Sequence, residues 1–246
     1  NYQSGTNYDI NSVIYKYDAT RSTDPFQVLQ SIATKGALDW EFFSIDGQHY
    51  LAVANFQSGG SFNQNSVIYK YNATQSTNPF QVFQSIATKG GRDWQYFSID
   101  GQHYLVVANS RSGDDFDQDS IVYKYDATQS TFQLFQSIPT KGALDWEYFT
   151  ISGKHFLAIA NFQRGEIYNQ DSMVYKYDAT RSMESFQFFE SIPTNGAADF
   201  EHFAIGDKNF LAVANYQSGD NFNINSIIYD RSTFLLTADS SGNAMA

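Results

Sequence analysis

The chain is expected to be an all-β protein, a β-propeller of four-stranded blades, and three observations in its 246 residues lead there. A pentapeptide recurs as Asn1-Tyr-Gln-Ser-Gly, Asn55-Phe-Gln-Ser-Gly, Asn109-Ser-Arg-Ser-Gly, Asn161-Phe-Gln-Arg-Gly and Asn215-Tyr-Gln-Ser-Gly, at spacings of 54, 54, 52 and 54 residues. Each period holds four short runs of β-branched and aromatic residues separated by turn chemistry. No segment sustains a 3.6-residue apolar period between helix caps. Four antiparallel strands in a unit of this length is the size of one propeller blade.

The elements follow in order. Segments containing Phe43, Phe97, Phe149 and Phe203 are expected to be the innermost strands. Each leads through a tight turn, Asp46-Gly47 or Asp100-Gly101, into a second run such as Leu51-Ala-Val-Ala-Asn55, and Asp-Gly between apolar runs is a strong hairpin signal. That second run is apolar on both faces, as a strand between two neighbouring blades must be. The third strand is Ser66-Val-Ile-Tyr-Lys-Tyr-Asn72. The fourth carries Phe80, Val82 and Ile86 at even spacing, the period of a half-buried strand. One domain is expected over 1–246, with repeats 1–54, 55–108, 109–160 and 161–214, a partial repeat 215–230 and a divergent tail 231–246. The two-residue deficit of the third period falls before Phe132, where Thr131 stands directly beside it, and marks a surface loop.

Four inner strands allow four complete blades, but the chain begins with a third and a fourth strand, near Ser12–Asp18 and Phe26–Ile32. This half blade can close a ring by strand exchange, begin a fifth blade, or pair with another chain and so make a homo-oligomer. Residues from Arg231 to Thr237 are expected to supply the last blade's fourth strand. Asn1 in place of an initiating Met leads us to expect an upstream segment, either a signal peptide or the remainder of a longer protein.

Composition removes whole classes of function. With no cysteine, thiol catalysis, Cys-ligated zinc and disulfides are absent. The excess of 26 acidic over 15 basic residues, a net charge of −11, disfavours nucleic acid and anionic membrane surfaces as partners. No apolar run approaches the roughly 18 residues that a bilayer-spanning helix needs.

Other propeller repeats fit poorly, since WD repeats carry Trp-Asp where this chain has Asp39-Trp40, Asp93-Trp94 and Asp145-Trp146, and Gly doublets of the kelch kind occur only at Gly59-Gly60 and Gly90-Gly91. Four segments do find a match: Phe43-Ser-Ile-Asp-Gly47, Leu51-Ala-Val-Ala-Asn55, Ser12-Val-Ile-Tyr-Lys-Tyr17 and Phe26-Gln-Val-Leu-Gln-Ser-Ile32. On these, over residues 1–230, the chain resembles the EAR repeat, also called EPTP, of the leucine-rich glioma-inactivated family. The resemblance implies an extracellular β-propeller that binds proteins through one face. The family usually has seven repeats, and this chain has four and a fraction.

The candidate chemistry is repeated with the blades. Asp39, Asp93, Asp145 and Asp199 stand at the entry to the inner strands; converging on an axis they would form a channel site for a cation, and oxygen ligation suits calcium. The alternative is that each caps a turn in its own blade. The loops after the second strand carry the aromatics Tyr8, Phe62, Phe116, Tyr168 and Phe222, with Arg111 and Arg164 in single copies. They are candidates for a ligand-binding face, or pack between blades. Alternating Asx residues there, as in Asp117-Gln-Asp119, read as calcium ligands or as Asx turns. His49, His103 and His155 share a repeat position that Asn209 fills in the fourth copy, which suits a hydrogen-bonding edge residue. Asn72-Ala-Thr74 is the only glycosylation sequon. No nucleophile elbow, phosphate loop or His-Glu-x-x-His appears. The expected function is a non-enzymatic extracellular protein binding a protein or a glycan through propeller-face loops. The alternatives are a multivalent lectin with one site per blade and, more remotely, a glycosidase.

Overall fold

The computed structural model describes residues 2–232, which form seventeen β-strands and no helix. A two-stranded sheet, β1 (Asp9–Tyr17) and β2 (Phe26–Lys35), comes first. The first full blade is β3 (Ala37–Ile45), β4 (Gln48–Asn55), β5 (Asn63–Tyr71) and β6 (Phe80–Lys89). The second is β7 (Gly91–Ile99), β8 (Gln102–Asn109), β9 (Asp117–Asp126) and β10 (Thr131–Lys141). The third is β11 (Ala143–Ile151), β12 (Lys154–Asn161), β13 (Asp171–Tyr177) and β14 (Phe186–Pro193). Last comes a three-stranded sheet of β15 (Ala197–Ile205), β16 (Lys208–Asn215) and β17 (Ile227–Asp230). Every sheet is an antiparallel meander in chain order, as expected of propeller blades. The strand expected from the tail to Thr237 lies outside the described residues, apart from Arg231 and Ser232.

Local chemistry explains the geometry. Asp46 and Gly47 both have positive φ, 48° and 75°, and this is the two-residue hairpin turn whose twist matches the flanking strands. Between the third and fourth strands the register slips by one residue in every copy, leaving Leu29, Phe83, Phe135 and Phe189 as the extra residue. The slip overturns the even-spacing expectation for the fourth strand: Val82 is 67% exposed, while Phe83 lies half-buried against Tyr50 at 5.1 Å between ring centroids. At the passage from one blade to the next, Gly142 has φ 55° and a Cβ there would lie 2.6 Å from the Gln163 carbonyl oxygen, so the close approach requires glycine.

The core lies between blades. Phe43, Ile45, Tyr50, Ala52 and Ile68 of the first blade bury themselves against Trp94, Leu105, Val107 and Phe132 of the second. The second packs on the third through the same positions, Phe97, Ile99, Tyr104 and Val122 against Trp146, Leu157, Ile159 and Phe186. A third copy joins the last blade.

These blades form an arc. Consecutive inner strands β3, β7, β11 and β15 pack side by side, and no comparable packing joins β15 back to β3. Among the described residues the half blade does not close a ring by strand exchange, because β17 holds the third position beside β16 and β1 pairs with β2 alone. Instead Ile14 and Ile32 of the half blade cover Val53 and Tyr69 of the first blade. Among the described residues nothing covers the end face of the last blade: Ile228 is 63% exposed, whereas Ile68, Val122 and Val174 at the same repeat position are fully buried.

Candidate functional site

The inner strands carry the acidic residues. Asp39, Asp93 and Asp145 each accept a hydrogen bond from the backbone N–H of the next blade's inner strand, donated by Trp94 (3.1 Å), Trp146 (3.0 Å) and Phe200 (2.9 Å). Two residues along, Glu41 and Glu147 accept from the N–H groups of Tyr96 (2.8 Å) and His202 (2.9 Å). The indoles answer in the opposite direction, Trp94 Nε1 donating to the Val53 carbonyl and Trp146 Nε1 to that of Val107. The carboxylates therefore tie neighbouring blades together, whereas the sequence suggested either a common ion or turns within one blade. Among the described residues no three His, Asp or Glu side chains are gathered closely enough to hold a metal ion.

This placement is costly for charge. Burial, countered only in part by the Phe200 N–H, raises the Asp145 carboxyl to about 7, and the charges of Asp199, Glu147 and Asp39 add to it. Burial likewise lifts Glu41 and Glu147 to about 7. Asp93 is pushed well above the usual carboxylate range by burial and then by Asp145 and Asp39. Asp39 and Asp199 are raised too, chiefly by burial.

The loop aromatics are largely engaged with one another. Tyr8 meets Tyr2 edge-on at 5.3 Å, Phe62 meets Phe56 at 5.0 Å and Tyr168 meets Phe162 at 5.4 Å. Where Ser110 replaces the aromatic partner of Phe116, the Arg111 guanidinium fills the space, lying 4.6 Å from Phe116 and 4.3 Å from Phe62 of the preceding loop. Arg111 also pairs with Asp114 at 3.0 Å, and Arg164 reaches back to Asp117 at 2.8 Å. Phe222 packs edge-on against Tyr216 but is 62% exposed. The amides of Asp9, Asp117 and Asn223 bond the side chains of Asn7, Asp115 and Asn221 two residues back, as Asx turns do. The histidines are edge residues: His103 and His155 Nδ1 lie 2.7 Å from the hydroxyls of Tyr96 and Tyr148, and His49 Nδ1 lies 2.8 Å from Ser44 Oγ.

On the opposite face, that of the Asp-Gly hairpins, three pockets recur at the outer part of each full blade, with volumes of about 490, 360 and 540 Å³ along the chain. Asn72 lines the first, with Oδ1 accepting from the amide and hydroxyl of Thr74. Asp126 and Asp178 stand in its place in the others. Sequence reasoning also missed a clamp between fourth strands. Gln30 donates to the Phe80 carbonyl and accepts from its N–H, both at 2.8 Å, and Gln84 and Gln136 do the same to Phe132 and Phe186. The recurring Gln was its signal, and Glu190 breaks the series by taking Arg231 instead, at 2.9 and 3.0 Å.

Comparison with known proteins agrees with this architecture. The profile of the EPTP domain matches residues 26–72, 80–126, 131–178 and 185–232. The mouse thrombospondin-type laminin G domain and EAR repeat-containing protein is 41% identical over 93% of this chain and 42% of its own length, and the human protein of that name is 40% identical over 89% and 40%. Leucine-rich repeat LGI family member 3 of Macaca fascicularis is 24% identical over 82% and 33%. The chain thus spans less than half the length of these curated relatives. Among solved structures, the exo-β-1,3-galactanase of Phanerochaete chrysosporium superposes with a TM-score of 0.52 at 10% identity, covering 92% of this chain and 55% of that one. A thermostable family-43 glycoside hydrolase gives 0.51 at 8% identity, covering 91% and 82%, and both likenesses concern the fold alone. With four profile matches, each running from a fourth strand through the first three strands of the next blade, and relatives 41% and 40% identical, the chain belongs to the EPTP domain family, whose repeat is also called EAR.

Proposed function

We propose that the chain is a non-enzymatic binding module working outside the cell and engaging a protein partner through a propeller face. The observation that carries this reading is the state of the inner-strand carboxylates. A glycosidase needs two carboxyl groups poised across a substrate bond. Here Asp39, Asp93, Asp145, Glu41 and Glu147 each hold a backbone amide of the adjoining blade, and their acidity is set by that packing. Kinship with EAR-repeat proteins supports binding as the role. The extracellular setting is supported by the sequon at Asn72, which is half-buried and followed by exposed Ala73 and Thr74 on a surface turn.

The second reading is a lectin with one site per blade, and one observation favours it: pockets recur in three successive blades. Binding of the fluorescently labelled chain to intact cells separates the two readings. Loss of binding after brief surface proteolysis is expected. Loss only after glycosidase treatment would establish the lectin, and absence of any saturable binding would refute both. Turnover of aryl glycosides that disappears in Asp145→Asn would overturn the non-enzymatic reading.

A further inference from the structure

The three pockets on the hairpin face have one construction. Their floor is the extra residue of the strand slip, Phe83, Phe135 or Phe189, against Tyr50, Tyr104 or Phe156 at 5.1–5.4 Å. Over that floor lies a lysine: Lys70 is 5.9 Å from the Tyr50 ring, Lys124 is 5.7 Å from Tyr104, and Lys176 is 5.8 Å from Phe189. In a chain of net charge −11, none of these three lysines makes an ion pair with a described carboxylate. Beside each stands an apolar side chain, Val82, Leu134 or Phe188, that is 62–67% exposed.

We propose that these pockets are equivalent docking sites for an acidic-apolar peptide, each lysine taking one carboxylate and the adjacent apolar wall taking the neighbouring side chain. The proposal rests on the protein-binding reading above and names the site and the chemistry of the partner. Charge complementarity selects the carboxylate. The slip in each outer strand interrupts the regular edge that strand addition requires, so recognition runs through side chains rather than through the ladder. The exposed walls of the first two pockets, Val82 and Leu134, are aliphatic and suit an apolar side chain, whereas a sugar would have to stack on the aromatic floor that the lysine already overlies. The pockets are graded by their walls. Asp126 balances the lysine of the second, and Asp178 and Asp100 balance Lys176 and Lys154 in the third, whereas the lining of the first holds Lys70 with neutral Asn72 and no carboxylate, so the first pocket binds an acidic peptide most tightly.

The test uses the unglycosylated chain with its lysines ¹³C-methylated for NMR, titrated with a Gly-Ser peptide containing one Glu-Leu dyad. Lysine signals of the pockets are expected to shift and saturate in the millimolar range, that of Lys70 first, with little response to Gln-Leu or Glu-Ser peptides. A peptide carrying three spaced dyads should bind at least about 10-fold tighter by avidity. Lys70→Gln should abolish the tightest site without moving the melting temperature, which guards against misfolding. Absence of shifts from the Glu-Leu peptide overturns the proposal, as do equal shifts from the Glu-Ser peptide. A uronic-acid disaccharide shifting these signals in the peptide's stead overturns it in favour of the lectin. Protease-sensitive cell binding that persists in the Lys70→Gln/Lys124→Gln/Lys176→Gln variant overturns the pockets while leaving the protein-binding reading standing. Absence of that binding in the unsubstituted chain refutes the reading itself.

Discussion

Asp145→Asn separates a clasp of buried carboxyl groups from a cation site. Asn keeps an oxygen for the Phe200 N–H, now at 2.9 Å, and removes the titrating charge. Asp145 titrates at about 7 in the folded chain, against an ordinary value of 3.8. Below pH 4 both folded and unfolded states hold the proton and the group contributes its full stability. As pH rises to 7 the unfolded state ionises first, so stability is lost progressively and levels off above 7. About three pKa units correspond to a ceiling of ~4 kcal/mol, and partial exposure at the inner face leaves roughly half. At pH 8 the variant should therefore be more stable by ~2 kcal/mol, a rise of about 4–8 °C in melting temperature for a domain of this size. At pH 4.5 the two proteins should melt within a degree or two of each other. Scanning calorimetry at both pH values, with calcium and with chelator, reads the result. A variant that melts lower at pH 8 than the parent chain, with the parent losing stability to chelator, would refute the clasp and restore the calcium expected at Asp39, Asp93, Asp145 and Asp199.

Three further outcomes follow from the blade interfaces and the hairpin face. Val174→Ala, at a fully buried position, should cost ~2–3 kcal/mol in denaturant unfolding, whereas Ile228→Ala at the same repeat position, 63% exposed, should stay within about 0.5 kcal/mol. Gln136→Ala leaves the buried Phe186 N–H and carbonyl without partners and should cost about 2–3 kcal/mol; a loss below about 0.5 kcal/mol would show that the clamp is incidental. When the chain is secreted from eukaryotic cells, Asn72 should carry an N-glycan, seen as a mass decrease on endoglycosidase treatment that Asn72→Gln removes.

Much of the fold could be read from the sequence because each blade is built of local signals repeated at a fixed period. Asp46-Gly47 sets its hairpin from two residues, and the Leu51–Asn55 run declares a strand covered on both sides. The partners of the candidate residues were hidden for the opposite reason. Asp39 bonds Trp94 and Gln30 bonds Phe80, contacts about one period apart that no local pattern reveals. The hairpin-face pockets were hidden by the register slip, since a pattern of even spacing places Val82 inward when it is exposed, and Phe83 outward when it lies on the floor.

Both clamps run in one direction, and this decides what the ends of the arc can do. Between the first and second full blades the earlier blade supplies the side chains of Asp39, Glu41 and Gln84, and the later blade supplies the backbone groups they bond together with Trp94 in the apolar seam; in the later copies Gln95 takes the place of Glu41 and Glu190 that of Gln84. The carboxylate and glutamine clamps are therefore supplied by the earlier blade and received by backbone of the later one, while the indoles of Trp94 and Trp146 bond back to the earlier blade's carbonyls, and this asymmetry favours stacking in a single order. The last blade retains the specifying half: Asp199 and Glu201 receive no amide from a further blade among the described residues, and burial beside Glu201 still raises the Asp199 carboxyl. Glu190 alone departs, binding Arg231, which is 9% exposed, where its counterparts bind the next blade's backbone. At this one outer position a charged pair replaces the amide clamp, and removing one partner would strand a charge that the glutamines never carry. Among the described residues the same face thus combines an uncovered apolar seam with an outer corner closed by the Glu190–Arg231 pair.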